Sequence, residues 1–453
     1  MAFCQVCGAL RRESGLAGAS LSRPVAHYIE LKDKRTVQLI SMSPFAGKSP
    51  KPWLILVMAA VVAFIANGVR MSYGVFVVPL EQAFGLMRSQ AILPFSISMV
   101  AWGVIQPFTG AFMDNKGARK AILMSVILLA LGLAVTAGAQ NLWQVILGYG
   151  LLVGGAASGL TVAAFSILIN RWFQQQRGKA LGYAFAGMPL GTLVFSPLAA
   201  TITADWSWQG SFLILATITL VVALPLAWFF LKEPPPVRKD GSTTTLREGL
   251  LFSSEVRQAM KSRAYWMLQV KYFGCGFTGL FLMGHLPAIA LEHGFSPQQG
   301  ATALGLIGAG GAVGSVLGGW ASDRFGRYKT LAIGYLMRSV GLFLLAFSVS
   351  DVTSFYVISV VAGLPVFFTI AITQLVIYEI FGTGIAGRMI GLTFLLHQVG
   401  ATFGPYFGGW IFETYETYTL ALIIGGLVLC SSAFWSWRLQ GVAQRYITAR
   451  VSS

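Results

Sequence analysis

The chain reads as a succession of apolar stretches, each long enough to cross a bilayer. A membrane-crossing helix needs about 20 mostly apolar residues in a row. About twelve segments meet that demand: 53–80, 91–113, 121–139, 142–169, 180–203 and 209–231, then 264–291, 298–320, 330–350, 354–381, 389–412 and 417–437. Hydrocarbon offers no partner to backbone N–H and C=O groups, so each segment must satisfy its own and become a helix. Composition agrees: 55% of the residues are hydrophobic and 11% charged, where a soluble domain carries about 25% charged. The formal charge of +16 invites a nucleic-acid reading, but the cations sit in short loops and tails between apolar spans, where they orient a membrane protein.

The loop after span 2 carries Lys116, Arg119 and Lys120, the loop after span 4 Arg171, Arg177 and Lys179, and the loop after span 8 Arg324, Arg327 and Lys329. Arg388 follows span 10. The opposite loops hold Glu81, Asp205, Glu292, Asp351, Glu413 and Glu416, with Arg88 as their one basic residue. We call these the basic and acidic ends. The positive-inside rule puts the basic end, both termini and the central linker in the cytoplasm.

The expected division is an N-terminal cytoplasmic tail over 1–50, a six-helix bundle over 51–231, a linker over 232–263, a second six-helix bundle over 264–438 and a C-terminal tail over 439–453. The linker opens on KEPPPVRKDGSTTTLREG, whose prolines, charges and small polar residues break helices. The first tail carries Arg11, Arg12, Arg23, Lys32, Lys34 and Arg35 and lacks the apolar core of a secretory signal peptide. It reads as disordered, with Met42 as an alternative start of translation. Its Cys4 and Cys7 form half a metal site with no second half, so no metal and no other cofactor is expected.

The halves repeat. GAFMDNKGARK from Gly110 aligns with GWASDRFGRYK from Gly319, which sets Asp114 and Asp323 209 positions apart. The same offset carries Gly85, Gly117, Lys120, Gly178, Gly182 and Gly191 onto Gly294, Gly326, Lys329, Gly387, Gly391 and Gly400. Two six-span halves of one orientation fit a transporter that rocks about a central site.

The two GxxxD…G…K loops resemble the signature loop of the major facilitator superfamily, present once in each half. The resemblance covers about residues 50–440. It implies an all-α membrane protein with twelve transmembrane helices in two six-helix pseudo-repeats. It also implies that Asp114 with Arg119, and Asp323 with Arg324 and Arg327, latch an inner gate. A narrower resemblance starts at Arg171, in RWFQQQRGKALGYAFAGMPLG. This stretch is similar to the loop and fifth helix of monocarboxylate porters and oxalate/formate-type antiporters. There are departures. Span 8 has no charge where animal porters carry an Asp/Arg pair, so proton coupling by that pair does not carry over. GATFGPYFGG from Gly400 fits an antiporter pattern of helix 5 but stands in helix 11, and reads as a packing surface.

Within the spans the ionisable residues are Arg70, Lys271, Arg338, His285 and His397, while Glu81 and Glu379 lie at span ends. A cation at the bilayer centre costs at least about 2.5 kcal/mol on insertion scales. A bound anion would relieve it. Asn67, Arg70, Tyr73 and Gly74 are three or four apart and would share one helix face. The expected substrate-binding set is therefore Arg70, Asn67 and Tyr73 from helix 1, His285 from helix 7, and His397 with Gln398 from helix 11. Lys271 is expected to snorkel to the cytoplasmic face, and Arg338 to be structural.

The function expected is secondary transport of a small organic anion, a monocarboxylate class, by alternating access, in a bacterial-type inner membrane. The partners expected are the anion, a proton or counter-anion, and the bilayer, with no nucleic acid, the chain being a monomer and not an enzyme. Two alternatives stay open: an exporter of drugs or other amphipathic compounds, which the lack of deep carboxylates opposes, and a membrane-embedded ligand sensor.

Overall fold

A computed structural model describes residues 52–161, 164–165, 177–231 and 254–451, without the side chains of 111, 114, 115, 177–186, 383–384 and 449–451. The first tail, most of the linker and the WF…R prefix of the porter-like motif lie outside the described residues. Among the described residues the chain is helical with no strand. Ten helices are long and apolar enough to cross a membrane. In chain order the helices are α1 Pro52–Phe84, α2 Arg88–Lys116, α3 Ala118–Ala137, α4 Leu142–Ala157, α5 Arg177–Asp205 and α6 Trp208–Phe230. Then follow α7 Arg263–Glu292, α8 Pro297–Phe325, α9 Arg327–Phe347, α10 Val352–Gly382, α11 over 383–415 and α12 Thr419–Val451. The break between α10 and α11 is the non-helical backbone of Gly382, at φ 69 and ψ 170.

The twofold repeat is written into the backbone. Gln90 accepts from the Met87 amide at the start of α2 as Gln299 accepts from the Ser296 amide at the start of α8, 209 positions on. Gly117 and Gly326 end these two helices at φ 93 and 90. A side chain at either position would meet the following carbonyl, so glycine is what lets one helix turn directly into the next. Two segments differ from expectation. Residues 254–261 of the expected linker form a short helix with Val256 and Ala259 buried, and 439–451 continue α12 instead of leaving it.

Small residues decide which helices touch. Gly400, Gly404 and Gly408 of α11 lie one turn apart and face Phe273, Phe277 and Phe281 of α7. In the first half Gly191 of α5 faces Phe64 of α1, the same pair shifted by 209. One level along, the roles exchange: Gly68 of α1 meets Phe195 of α5, whereas Gly404 of α11 meets Phe277 of α7. The GP-rich stretch of α11 is thus a packing surface, as its sequence suggests. Without a hydrophobic drive inside a bilayer, such close backbone approach is what holds helices together. The outer face carries large apolar side chains, among them Trp143 at 77% and Phe108 at 70% exposure, which water would not tolerate at this density.

A Cβ on Gly404 would overlap the Phe277 carbonyl, while one on Gly391 meets nothing within 4 Å. Gly404→Leu is therefore expected to cost about 1–3 kcal/mol or more, and Gly391→Ala to hold stability or add up to about 1 kcal/mol. Thermal unfolding in detergent distinguishes the two.

Candidate functional site

Arg70 is in the last turn of the regular part of α1, before the backbone tightens into a 3-10 turn over Ser72–Phe76. At this transition the Tyr149 hydroxyl of α4 donates to the Arg70 carbonyl. The guanidinium is buried, at 7% exposure. Its Nη1 has no hydrogen-bond partner and its charge no carboxylate among the described residues. Trp102 of α2 lies flat against it, 4.3 Å from Cζ to the ring centroid. The indole is fixed there because its Nε1 donates to Gln106 at 2.8 Å. A cation over an indole gains about 0.5–2 kcal/mol, which offsets only part of the cost of burying an arginine that stays charged.

Beside Arg70 is a small polar cavity of about 10 Å³ lined by Ala66, Asn67, Leu129, Ala157 and Leu160, room for about one water molecule. Asn67 keeps its amide toward Met188 of α5, donating to that carbonyl at 2.8 Å. Tyr73 does not join them. Its ring is fully buried and its hydroxyl donates to the Ala91 carbonyl of α2 at 2.9 Å. Its ring is held between Phe95 of α2 and Tyr149 of α4, at 5.6 and 4.3 Å.

The second half reaches the site through aromatic rings. Trp102 meets Phe394 of α11 edge-on at 5.1 Å, Phe394 stacks on His397 at 5.7 Å, and His397 tilts against Tyr272 of α7 at 4.5 Å. His397 Nδ1 is 3.0 Å from Gln398 Oε1, and Gln398 Nε2 donates to the Met99 carbonyl of α2 at 3.3 Å. His397 and Gln398 therefore stand behind the site and do not touch Arg70.

Lys271 does not snorkel. It is fully buried, and its Nζ donates to Thr373 Oγ1 of α10 at 3.1 Å. The helix position that sequence places near the membrane surface faces inward, against α10. Arg338 is buried too, donating to Cys275 Sγ at 3.3 Å, to the Cys275 carbonyl at 3.4 Å and to Thr278 at 3.0 Å, which agrees with a structural role.

Two of the residues expected at the inner gate have described partners. Arg119 Nη2 donates to the Trp228 carbonyl of α6, and Arg327 pairs with Glu379 of α10 at 2.7 Å, each inside its own six-helix set. Asp323 and Arg324 are exposed, and the Asp114 side chain lies outside the described residues. Further contacts between the halves lie at the acidic end, where sequence did not look for them. Arg88 of α2 pairs with Glu81 at 2.7 Å, donates to Tyr418 at 2.8 Å and lies over Phe412 at 4.3 Å. Glu413 accepts from the Ser89 amide at 2.6 Å. His285 is here as well, bonded to Tyr418 and to the Pro405 carbonyl, so it belongs to this closure and not to the Arg70 cavity. The available signal was Arg88 itself, the lone cation among acidic loops.

The cavity beside Arg70 is lined by the first set of helices, and the rings of Trp102 and Phe394 connect it to the second. The family model "Major Facilitator Superfamily" matches residues 58–311 and 270–445, and the chain belongs to that family. Among curated proteins it is 29% identical to the uncharacterized MFS-type transporter YcxA of Bacillus subtilis, covering 82% of this chain and 91% of that protein. It is 24% identical to monocarboxylate transporter 13 of Bos taurus (84% and 87% covered) and 22% identical to the oxalate:formate antiporter of Oxalobacter formigenes (82% and 87%). Among solved structures, a bacterial homolog of the human lysosomal transporter Spinster, crystallised inward-facing and unoccupied, superposes with a TM-score of 0.71 at 17% identity. That likeness covers 88% of this chain and 99% of the other. It bears out the expected twelve-helix fold.

Lys271 is a buried cation with one neutral hydrogen bond. Replacing it by an apolar side chain of like length removes the desolvation cost. Lys271→Met is expected to unfold at the same or a higher temperature, whereas Arg338→Ala, which removes the buried donor to Cys275 and Thr278, is expected to lose about 1–3 kcal/mol. Melting curves of both variants in one detergent check the sign.

Proposed function

We propose that this chain is a secondary active transporter of a small organic anion, with a monocarboxylate as the favoured class, working by alternating access. The observation that carries the reading is Arg70: a buried guanidinium with a free N–H, no carboxylate among the described residues and a polar cavity beside it. A bound carboxylate supplies two parallel acceptors that match the guanidinium fork. The names of two relatives, a monocarboxylate transporter and an oxalate:formate antiporter, point to the same chemical class.

Asn67 lines the cavity with Arg70 and Trp102 covers it, so these three form the binding set. His397 and Gln398 tie that set to the second half. Tyr73 and His285, with their polar atoms already engaged, drop out of it. The cavity holds about one water, less than any carboxylate, so binding requires the site to widen as the two bundles, 51–231 and 264–438, rock. The asymmetry of the ends supports rocking: Arg88, Ser89, Glu413 and Tyr418 join the sets at the acidic end, while Arg119 and Arg327 at the basic end bond within their own sets. With the basic end cytoplasmic, this arrangement is closed to the outside. A bacterial-type inner membrane, a monomer, and a proton or counter-anion as coupled species complete the reading.

The test is uptake of a panel of radiolabelled small carboxylates into proteoliposomes. Saturable uptake is expected, abolished in Arg70→Gln and reduced about tenfold or more in Arg70→Lys, which keeps the charge but not the fork. Flux undiminished in Arg70→Gln would sink the role given to Arg70. Absence of carboxylate flux in the unaltered protein would remove the substrate class.

A further inference from the structure

The acidic-end network is more ordered than a latch requires. Arg88 Nη1 can only donate, and it donates to the Tyr418 oxygen. An ordinary phenol keeps its hydrogen at neutral pH, so the Tyr418 hydroxyl is still a donor. His285 Nδ1 stands 2.9 Å from that hydroxyl, and His285 Nε2 stands 2.7 Å from the Pro405 carbonyl. A carbonyl can only accept, so Nε2 carries the imidazole hydrogen and Nδ1 the lone pair. The hydrogen bonds therefore run one way, from Arg88 to Tyr418 to His285 to Pro405. They link α2 of the first half to α11, α7 and the start of α12 in the second.

This order needs a neutral imidazole. A proton on Nδ1 would turn it into a donor facing the Tyr418 oxygen, which already receives from Arg88. The tyrosine hydrogen would then have no acceptor, and a second cation would stand one side chain from the first. The other charged groups of the region are committed elsewhere. Glu81 is bound to Arg88, Glu292 accepts from Thr417 and the Tyr418 amide, and Glu413 accepts from the Ser89 amide. The walls nearest the imidazole are the rings of Phe281 and Tyr418 and the backbone of Gly408. Among the described residues no carboxylate bonds to His285.

We propose that His285 Nδ1 is a proton-binding site and that its protonation releases the contacts joining the two helix sets at the acidic end. In a transporter whose acidic end faces outside, external acid would then open the outer gate. The proposal takes alternating access from the reading above and nothing from the identity of the substrate.

The experiment places spin labels at Ala83→Cys and Thr414→Cys, exposed positions on opposite sets at this end, in the full chain with its other accessible cysteines changed to serine. Distances are measured in lipid nanodiscs without substrate, at neutral pH and at about pH 5, on either side of the ordinary imidazole range. In the otherwise unaltered chain the distance is expected to lengthen in acid. With His285→Gln, which can still accept from Tyr418 and donate to Pro405, it should stay short at both values. With Tyr418→Phe it should be long at both. A His285→Gln protein that still lengthens in acid, or an unaltered chain that stays short, overturns the proposal. If His285→Gln is not recovered as a monodisperse protein, Tyr418→Phe decides, a short and pH-responsive distance being the contrary result. Missing carboxylate flux with the acid response intact removes only the anion reading. Arg70-dependent flux with pH-independent distances removes only this one.

Discussion

An arginine set among hydrocarbon cannot shed its charge, and the first half of this protein is arranged around that fact. Side chains of long cations near a membrane surface can reach out to water, but Arg70 lies too deep in α1 for that. It must face other helices, so α1 must be enclosed, and glycines at 68, 187 and 191 let α5 close upon it. The indole of Trp102, held by Gln106, then covers the guanidinium. What these contacts leave is a buried guanidinium whose Nη1 has no hydrogen-bond partner among the described residues.

The two ends of the molecule handle their charges differently. At the basic end the described bonds of Arg119 and Arg327 stay within their own half. At the acidic end a cation, a phenol, an imidazole and a carbonyl form a single donor sequence that crosses from one half to the other. Hydrogen bonds to a charged group contribute about 1.5–3 kcal/mol each when buried, and the stacking of Arg88 on Phe412 adds to them. These polar groups act beside close packing between the halves, where Gly74 meets the Met283 carbonyl, Gly284 meets Ile92 and Gly305 meets Leu193.

The fold was largely legible in the sequence because its determinants are local or periodic. Span lengths follow from hydrophobicity alone, and the 209-residue offset, read from Asp114 and Asp323 and their neighbouring glycines, reappears in the bonds of Gln90 and Gln299 at the starts of α2 and α8 and in Gly117 and Gly326. The depth and isolation of Arg70 were legible too, since a sequence with no acidic residue inside its spans cannot supply a partner. The errors came from phase and from distance. Tyr73 was placed with Asn67 and Arg70 by helical spacing alone, which does not register that the Ala91 carbonyl and the rings of Phe95 and Tyr149 hold it elsewhere. Lys271 was sent toward the surface because its rotational setting against α10 depends on the tertiary packing of glycine ladders. The Arg88–Tyr418–His285 relay joins residues up to 330 positions apart, and no local pattern announces such a contact.

The 3-10 turn at Ser72–Phe76 has a mechanical meaning. It lies on α1 between Arg70, at the cavity, and Glu81, which holds Arg88 at the closed end. Five residues of 3-10 backbone advance about 10 Å, against about 7.5 Å in α-helix, and turn about 100° further. Rewinding the segment would draw its two flanks together by about 2.5 Å while swivelling one against the other. α1 can thus behave as a screw with Arg70 at one end of the thread and the Glu81–Arg88 pair at the other.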